Sequence, residues 1–189
     1  MTRKEDILQA AQQLFSRFGL KKVTISDIAS EAHVSKGTIY KLYRNKGEVF
    51  DDVVKTEADM LLQAIQEAVD GEDTVLGKFK AHLLTKMEKF RDLINFYQVT
   101  QETSQDYWPF VAETREWFLA QERKIVEDVL RQGNESGELD VKDPALVSHM
   151  MVVSLKAQEY SWATKGMGVS LEDYVEMMMD VMINGIRKR

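Results

Sequence analysis

The chain of 189 residues is 44% apolar and 30% charged, proportions that are typical of a globular protein and exclude wholesale disorder. It contains no cysteine, which excludes disulfide scaffolds, thiolate metal sites and cysteine nucleophiles and fits a reducing cytoplasm. The net charge of −6 is uneven: residues 1–50 carry nine Lys or Arg against five Asp or Glu, a net +4, and the remainder carries 16 against 26, a net −10. A basic head is expected where that part of the chain contacts nucleic-acid phosphates, and chance clustering of solvated charge is the alternative.

Two helices are predicted near the N-terminus. Apolar residues recur at helical spacing from Ile7 to Phe18, and Gly19 follows at the position where a helix would end. Thr24 and Asp27 have the spacing of a capping box, in which the threonine oxygen accepts a hydrogen bond from an unpaired helix amide and the acid reaches back to the cap. A short second helix is therefore predicted to start directly after Thr24.

A turn and two more helices are predicted next. Residues 32–34 are expected to form a tight turn, after which Ser35 can cap a short third helix that runs through Tyr43. Asn45 with Glu48 is another cap pattern. It predicts a long fourth helix from about residue 46 towards residue 69.

Beyond Gly71 every strong pattern is again helical, so the predicted fold class is all-α. Breaks between helices are predicted at residues 71–74, 106–109, 133–144 and 166–170. Helix starts are predicted at Asp143, where a proline takes the opening helical position, and at Ser170, which forms a capping box with Asp173. The sequence shows no sustained two-residue alternation and no internal repeat.

The second and third helices are short, capped and joined by a tight turn, which is typical of a helix-turn-helix whose second member enters the major groove of DNA. The spacing turns Ile39 towards the core, with Val34 before it. Hydroxyl groups on the opposite face can donate to phosphates or bases, ammonium groups supply charge, and a glycine lets the backbone come close. That face comprises Lys36, Gly37, Thr38, Tyr40 and Lys41.

Lys46 is the first residue of the predicted fourth helix. Amide groups at a helix N-terminus lack partners within the helix and favour anions. We therefore expect Lys46 to bind a DNA phosphate together with these amides.

The segment from Ile7 to Phe50, above all the run VSKGTIYKLYRNKGEVF, resembles the DNA-binding domain of the TetR/AcrR family of regulators. The resemblance covers about the first quarter of the chain and includes four features in order: a helix, the capped TISDIA segment, the VSKGTIY helix, and an Asn-Lys pair that opens a long helix. A small helical bundle with solvated polar residues is the alternative interpretation. The DNA contacts implied by the resemblance are Ser26, Ser35, Lys36, Gly37, Thr38, Tyr40, Lys41 and Lys46.

Three positions depart from the pattern of this family. Leu42 stands where the family often has histidine, which puts a backbone contact in doubt, and Gly47 stands where a helix-favouring polar residue is common, which would loosen the helix start. Tyr43 replaces the usual phenylalanine and is expected to remain in the core. The resemblance implies a DNA-binding domain at residues 1–46 and a helical effector-binding and dimerisation domain at residues 47–189.

The last two predicted helices are apolar on more than one face. Residues 145–163 and the helix from Leu171 to Ile186 both carry more apolar surface than a single neighbour covers. We expect these helices from two copies to form a four-helix interface, although burial within one subunit is an alternative. A homodimer would place two recognition helices about 34 Å apart, the spacing of a palindromic operator.

Aromatic side chains in the middle of the chain could line a pocket for a small-molecule effector, which the family layout places among these helices. Core packing is the alternative for each of them. The carboxylates of Glu102, Asp106, Glu113 and Glu159 would favour a cationic ligand if they faced inwards. The predicted ligand-binding residues are Phe90, Phe96, Tyr97, Trp108, Phe110, Trp117 and Tyr160.

Enzymatic motifs are missing from the sequence. Its three histidines are far apart, no helical metal-binding motif occurs, and no glycine-rich phosphate loop is present. We therefore expect neither an enzyme nor a bound metal or cofactor. The function predicted is a repressor that is released from operator DNA by a small apolar or cationic ligand, with an activator as a variant. A helical binding or catalytic module with a non-functional helix-turn-helix is the alternative.

Targeting patterns are also missing. The N-terminal residues carry both signs of charge and lack the apolar stretch of a secretion signal. The longest uncharged stretch, residues 144–155, is well short of the roughly 20 apolar residues that a membrane-spanning helix needs. We expect a cytoplasmic protein without a membrane segment.

Overall fold

The computed structural model describes residues 2–89, 104–165 and 168–184, and the side chains of residues 104–109, 157–165 and 183–184 are not described. Within these ranges the regular structure is helical, which confirms the predicted all-α class. The helices are α1 (Arg3–Lys22), α2 (Ile25–Glu31), α3 (Lys36–Tyr40), α4 (Lys46–Asp70), α5 (Val75–Lys89), α6 (Ser104–Ser136), α7 (Pro144–Lys165) and α8 (Leu171–Asn184).

The predicted helix starts are confirmed by hydrogen bonds at the caps. The Thr24 hydroxyl accepts from the Asp27 amide, and the Asp27 carboxylate accepts from the Thr24 amide at 2.8 Å. Amides in the first turns of α4, α7 and α8 donate to the side chains of Asn45, Asp143 and Ser170, each at 3.0 Å. Each cap pairs an amide that the helix itself leaves without an acceptor.

Two helix boundaries differ in detail. Gly19 has φ of 75° and interrupts the helical path of α1 where its end was predicted, although helical residues follow as far as Lys22. The third helix is shorter than predicted, because it ends at Tyr40. The amides of Leu42 and Tyr43 both donate to the carbonyl of Ile39, so a closing turn replaces the last predicted residues of the helix.

The predicted break at residues 106–109 is wrong, because α6 is continuous through Pro109. Proline lacks an amide donor and disrupts the interior of a helix. Pro109 lies within the first two turns of α6, where its missing N–H removes a single bond, to the carbonyl of Gln105. A proline so close to a helix start does not end the helix.

The chain divides into two compact units: residues 1–59 with 93–116, and residues 60–92 with 117–189. The first unit therefore extends past residue 46 into α4. The functional boundary at residue 46 stays a prediction.

The first unit has a core formed by α1, α2, α3 and the beginning of α4. Ile7, Ile28 and Ile39 are fully buried there. The rings of Phe15 and Phe50 meet edge to face with centroids 5.1 Å apart, a favourable aromatic geometry. This core fixes α3 by the burial of Ile39 and leaves its other faces outside.

The second unit is held by α5 packing against α8 and by contacts that close the loop after α6. Lys80 of α5 and Glu176 of α8 form an ion pair at 2.7 Å. Asn134 donates to the carbonyl of Val141 at 2.8 Å and accepts from its amide at 2.9 Å, which ties the loop to α6. In the parts of the chain that the structure describes, no helix is both long enough and apolar enough to cross a bilayer.

Candidate nucleic-acid interface

The turn between α2 and α3 is built from backbone hydrogen bonds. His33 has φ of 53°, a left-handed conformation that is uncommon outside glycine. The amide of Val34 donates to the carbonyl of Ala29 at 2.9 Å, and the amide of His33 donates to that of Ser30 at 3.2 Å. This bonding pattern is a Schellman motif. It ends α2 sharply and directs the chain into the Ser35 cap of α3.

Ser35 and Thr38 form the N-terminal cap of α3. The Ser35 hydroxyl accepts from the Thr38 amide at 3.1 Å, and the two hydroxyl oxygens are 2.9 Å apart. Both side chains remain at or near the surface. Ser35 therefore has the cap role that its position predicts, and the two hydroxyls lie together at the start of the candidate recognition helix.

The structure brings the predicted DNA-contacting residues of α3 together on one exposed surface, while Ile39 on the same helix is fully buried. Tyr40 is 56% exposed, although tyrosines usually bury most of their ring. Gly37 has open space around it, since an added Cβ would meet only the Ser35 hydroxyl oxygen at 3.6 Å. Ser26, Ser35, Lys36, Gly37, Tyr40 and Lys41 are exposed, and Thr38 and Lys46 are partly buried.

Lys46 has an internal role that the sequence did not indicate. Its ammonium donates to the carbonyl of Leu20 at 2.5 Å and to that of Val23 at 2.7 Å. Burial lowers the pKa of Lys46, and the charge of Asp27 acts in the opposite direction. Lys46 thereby fastens the end of α1 to the start of α4, and its contact with a DNA phosphate stays a prediction.

Tyr43 is buried, and its extra hydroxyl relative to phenylalanine has a partner. The hydroxyl donates to the Asp52 carboxylate at 2.6 Å, and the Lys4 ammonium lies 2.7 Å from the same carboxylate oxygen. Burial and then the Asp52 hydrogen bond raise the pKa of Tyr43. The expectation that Tyr43 lies in the core is confirmed, and the residue also connects the end of α3 to α4.

Gly47 of α4 lies against the Phe110 ring of α6 in the first unit. A Cβ on Gly47 would collide with the ring of Phe110, so a larger residue would force this ring to move. One turn later on α4, Asp51 accepts a hydrogen bond from the Thr114 hydroxyl at 2.7 Å. Burial raises the pKa of Asp51, an effect that the Thr114 hydrogen bond opposes. The third departure, Leu42, is 48% exposed beside the recognition helix.

The predicted ligand-binding residues are only partly described. Phe90, Phe96 and Tyr97 lie outside the described residues, as do the side chains of Trp108 and Tyr160. Phe110 belongs to the first unit and packs on Gly47, whereas Trp117 belongs to the second unit and is half-buried. Their role in ligand binding stays a prediction. Among the described residues no cluster of three His, Asp or Glu side chains could hold a metal ion.

Helices α7 and α8 each carry exposed apolar residues. Leu146, Met150 and Val153 repeat at helical spacing on α7 and are each about half exposed or more. Met177 and Val181 are one turn apart on α8, and Val181 is 79% exposed. Runs of exposed apolar residues on one helix face mark interaction surfaces.

Known proteins with similar sequences or structures are regulators of transcription. Residues 7–53 match the family described as bacterial regulatory proteins, tetR family. The uncharacterized HTH-type transcriptional regulator YhgD of Bacillus subtilis is 24% identical over 97% of this chain and 96% of its own length. The HTH-type transcriptional repressor KstR2 of Mycolicibacterium smegmatis is 23% identical, over 98% of this chain and 91% of its own length.

A solved structure shares the fold. The crystal structure of the transcriptional regulator FadR from Bacillus subtilis in complex with stearoyl-CoA superposes with a TM-score of 0.74 at 20% identity. The superposition covers 96% of this chain and 98% of the other. The likeness therefore extends through the helices that follow α4.

Proposed function

Because this chain belongs to the tetR family of bacterial regulatory proteins, we propose that it is a homodimeric transcriptional repressor. Each subunit inserts α3 into the major groove of a palindromic operator. A small molecule bound in the second unit releases the DNA. The observation that carries the proposal is the exposure of Lys36, Tyr40 and Lys41 on a helix that is held in place by the burial of Ile39.

Exposed ammonium and hydroxyl groups at the start of α3 suit both kinds of DNA contact. Lys36 and Lys41 neutralise phosphates, which contributes most of the sequence-independent affinity. Tyr40, Thr38 and Ser35 can donate to base edges or to ordered phosphates. Gly37 has open space around it, which leaves room for a close approach of the DNA backbone.

The exposed apolar surface of α7 and α8 supports a homodimer as the second element of the proposal. In a four-helix interface, Leu146, Met150 and Val153 from one subunit pack against the same helices of the other. Val181→Glu combined with Met150→Glu is expected to give monomers in light scattering coupled to size exclusion. Met60 on α4 is 58% exposed, so Met60→Glu is the matched control and should leave the dimer intact.

Release by a ligand is the third element. KstR2 is a repressor by name, and the FadR structure contains stearoyl-CoA, so one regulator of this fold binds a molecule with a long apolar chain. In the first unit, α6 contacts α4 through Phe110 and Thr114, and α4 holds the end of α3 through Asp52. Since α6 continues into the second unit, a ligand that prefers one arrangement of α6 can shift the population that binds DNA.

The proposal is tested by fluorescence anisotropy with DNA from the promoter region of the protein's own gene. The wild type should bind this DNA more tightly than a scrambled duplex at moderate salt. Tyr40→Ala should weaken specific binding by about 1 to 3 kcal/mol if the ring or hydroxyl contacts a base edge or ordered phosphate. No preference between the two duplexes would contradict the proposal and favour a binding or catalytic module instead.

A matched control separates a DNA contact from a general charge effect. Lys36→Ala with Lys41→Ala removes two exposed ammonium groups from α3 and should reduce the slope of log affinity against log salt. Lys124→Ala removes an exposed ammonium from α6 in the second unit. This control should leave the affinity and the salt slope almost unchanged.

A further inference from the structure

Three titratable side chains meet in the interior of the second unit. Glu122 of α6 is 0% exposed, and His82 and Lys86 of α5 are each 2% exposed. The Lys86 ammonium donates to Glu122 Oε1 at 2.5 Å, and His82 Nε2 lies 3.1 Å from the same oxygen. His82 and Lys86 are one turn apart on α5, so both approach Glu122 from the same face. We call these three residues the buried triad.

The two oxygens of Glu122 are used unequally. Oε1 has both donors of the triad, whereas Oε2 is buried and has no hydrogen-bond partner among the described residues. An ionised carboxylate offers about four acceptor positions. Nearly all buried polar groups have a partner, and each exception in a native structure requires an explanation. Oε2 is therefore a buried acceptor that can take a hydrogen bond from a donor outside the triad.

The buried residues one turn away from Glu122 on α6 are apolar. Phe118 and Val126 lie one turn before and one turn after Glu122 on α6, and both are buried. The Lys86 ammonium is 5.9 Å from the centroid of the Phe118 ring, a cation–π distance. Well-packed apolar residues would stabilise such an interior at least as well as a buried ion pair. Stability alone therefore does not account for the triad.

The charge of the triad restricts what Oε2 can bind. Burial would raise the pKa of Glu122, but the charge of Lys86 and the hydrogen bond of His82 outweigh burial and hold it at about 2. Glu122 is therefore ionised at neutral pH and already neutralised by Lys86. A cationic ligand would be repelled by the Lys86 ammonium, and an anionic ligand would meet a carboxylate oxygen of its own sign.

The geometry points to Glu122 Oε2 as the acceptor for the hydroxyl group of a neutral, otherwise apolar effector. This inference rests on the proposed ligand-responsive function and narrows its effector from an apolar or cationic molecule to an apolar alcohol or phenol. The buried triad is the polar end of the binding site. The body of the molecule would contact apolar side chains of the same unit, such as Phe118 and Val126 of α6.

Two isosteric probes test this inference by isothermal titration calorimetry on the full chain without DNA. 1-Octanol and 1-methoxyheptane have the same number of heavy atoms, but only the alcohol donates a hydrogen bond. We expect 1-octanol to bind about tenfold more tightly, the effect of one hydrogen bond to a charged acceptor. Octylammonium and octanoate should bind more weakly than 1-octanol. Equal affinities for the two isosteres, tighter binding of either ion, or binding of none of the four probes would overturn the inference.

Glu122→Gln tests the assigned atom. Lys86 and His82 require an acceptor, so the amide oxygen takes the place of Oε1 and the amide nitrogen takes the place of Oε2. The preference for 1-octanol should fall from about tenfold to about one. If the stranded Lys86 charge prevents folding, Lys86→Met with Glu122→Leu removes that charge together with both acceptor oxygens at this position. A tenfold preference that persists in either variant would overturn the assignment.

Glu127→Gln is the matched control, because Glu127 lies on the same helix and pairs with Arg131 at the surface. Its preference for 1-octanol should equal that of the wild type. The calorimetry involves no DNA, so its outcome is independent of operator binding. Glu122-dependent binding of 1-octanol without any release of promoter DNA would leave the site intact and contradict the proposed release. Conversely, release of DNA by a molecule whose affinity does not depend on Glu122 would support the proposed release and contradict the assigned site.

Discussion

The candidate recognition helix and the buried triad place their charged side chains in opposite ways. In the first unit the cations of α3 stay at the surface, and polar groups such as Thr24 and Ser35 are bonded to amides at helix ends. In the second unit His82, Lys86 and Glu122 are enclosed within the protein. Charges at a surface favour a partner that arrives from outside, whereas enclosed charges constrain whatever is bound among them. Each of the following predictions tests one side of this contrast.

The largest loss of stability is expected in the second unit, from Glu122→Leu. This change leaves the Lys86 ammonium buried without its counter-ion, which destabilises proteins by about 3 to 5 kcal/mol. Chemical denaturation followed by circular dichroism measures the loss. Lys86→Met in the same chain removes the stranded charge and should restore most of the stability. If Glu122→Leu alone were as stable as the wild type, the triad would have to be accessible to water.

The same residue gives a pH dependence with a defined sign. The folded pKa of Glu122 is about 2, below its usual value of 4.5, so its stabilising contribution is present above pH 4.5 and is lost as the pH falls towards 2. Acidification across this window should therefore destabilise the wild type more than the Lys86→Met, Glu122→Leu double variant. Parallel denaturation curves at several pH values check the difference.

The next largest loss of stability is expected in the first unit, where the Lys46 ammonium makes internal hydrogen bonds. Lys46→Met keeps the apolar stem and removes the hydrogen bonds to the carbonyls of Leu20 and Val23. Hydrogen bonds that involve a charged group contribute about 1.5 to 3 kcal/mol. Denaturation should show a loss of that size. Lys55→Met on the exposed side of α4 is the control and should change stability far less.

Lys46→Met also separates an internal role from a DNA contact. If Lys46 binds a phosphate as well, the variant reduces the slope of log affinity against log salt by about one. If Lys46 acts by fastening α1 to α4, affinity falls without a change in slope. The salt titration therefore shows whether Lys46 contacts DNA as a surface cation or acts only as an internal cation that connects α1 and α4.

Gly47→Ala is also expected to destabilise the protein, but by less than Lys46→Met. Its Cβ would collide with the Phe110 ring, and overpacking typically destabilises by about 1 to 3 kcal/mol. In a Phe110→Ala background the collision is gone, and the higher helix propensity of alanine should make the same substitution stabilising by up to about 1 kcal/mol. A double-mutant cycle in denaturant measures this reversal of sign. Equal effects in both backgrounds would contradict the close packing.

These positions also show what the sequence could predict. The caps at Thr24, Ser35, Asn45, Asp143 and Ser170 were predictable, because each joins residues three apart and depends on local geometry. The exposed face of α3 followed from the same spacing. By contrast, Gly47 meets Phe110 and Lys86 meets Glu122 across long stretches of chain. Local patterns do not show which side chains tertiary packing brings together.

Contacts that the sequence did not indicate follow the same division. Gly47 was interpreted as a loose helix start, because its partner on α6 could not be known from neighbouring residues. Lys46 was predicted to bind a DNA phosphate, both from helix-end physics and from the family resemblance. The carbonyls that it binds belong to the end of α1 and to Val23, which its neighbours in sequence do not indicate. For Pro109 the local rule itself failed, since the helix begins only shortly before it. The buried triad had no sequence pattern, because Glu122 comes from a different helix than His82 and Lys86 and all three resemble ordinary surface charges.

The smallest expected effect is a gain in stability at the turn before α3. His33 has φ of 53°, and a left-handed conformation is more favourable for glycine than for a residue with a side chain. His33→Gly should stabilise the protein by about 0.5 to 1 kcal/mol, and His33→Ala, which keeps the strain, should not. If the imidazole is instead a surface group that DNA contacts, both variants lose operator affinity equally. A more stable His33→Gly protein with unchanged affinity would show that the His33 side chain does not contact DNA and that this turn acts by positioning α3.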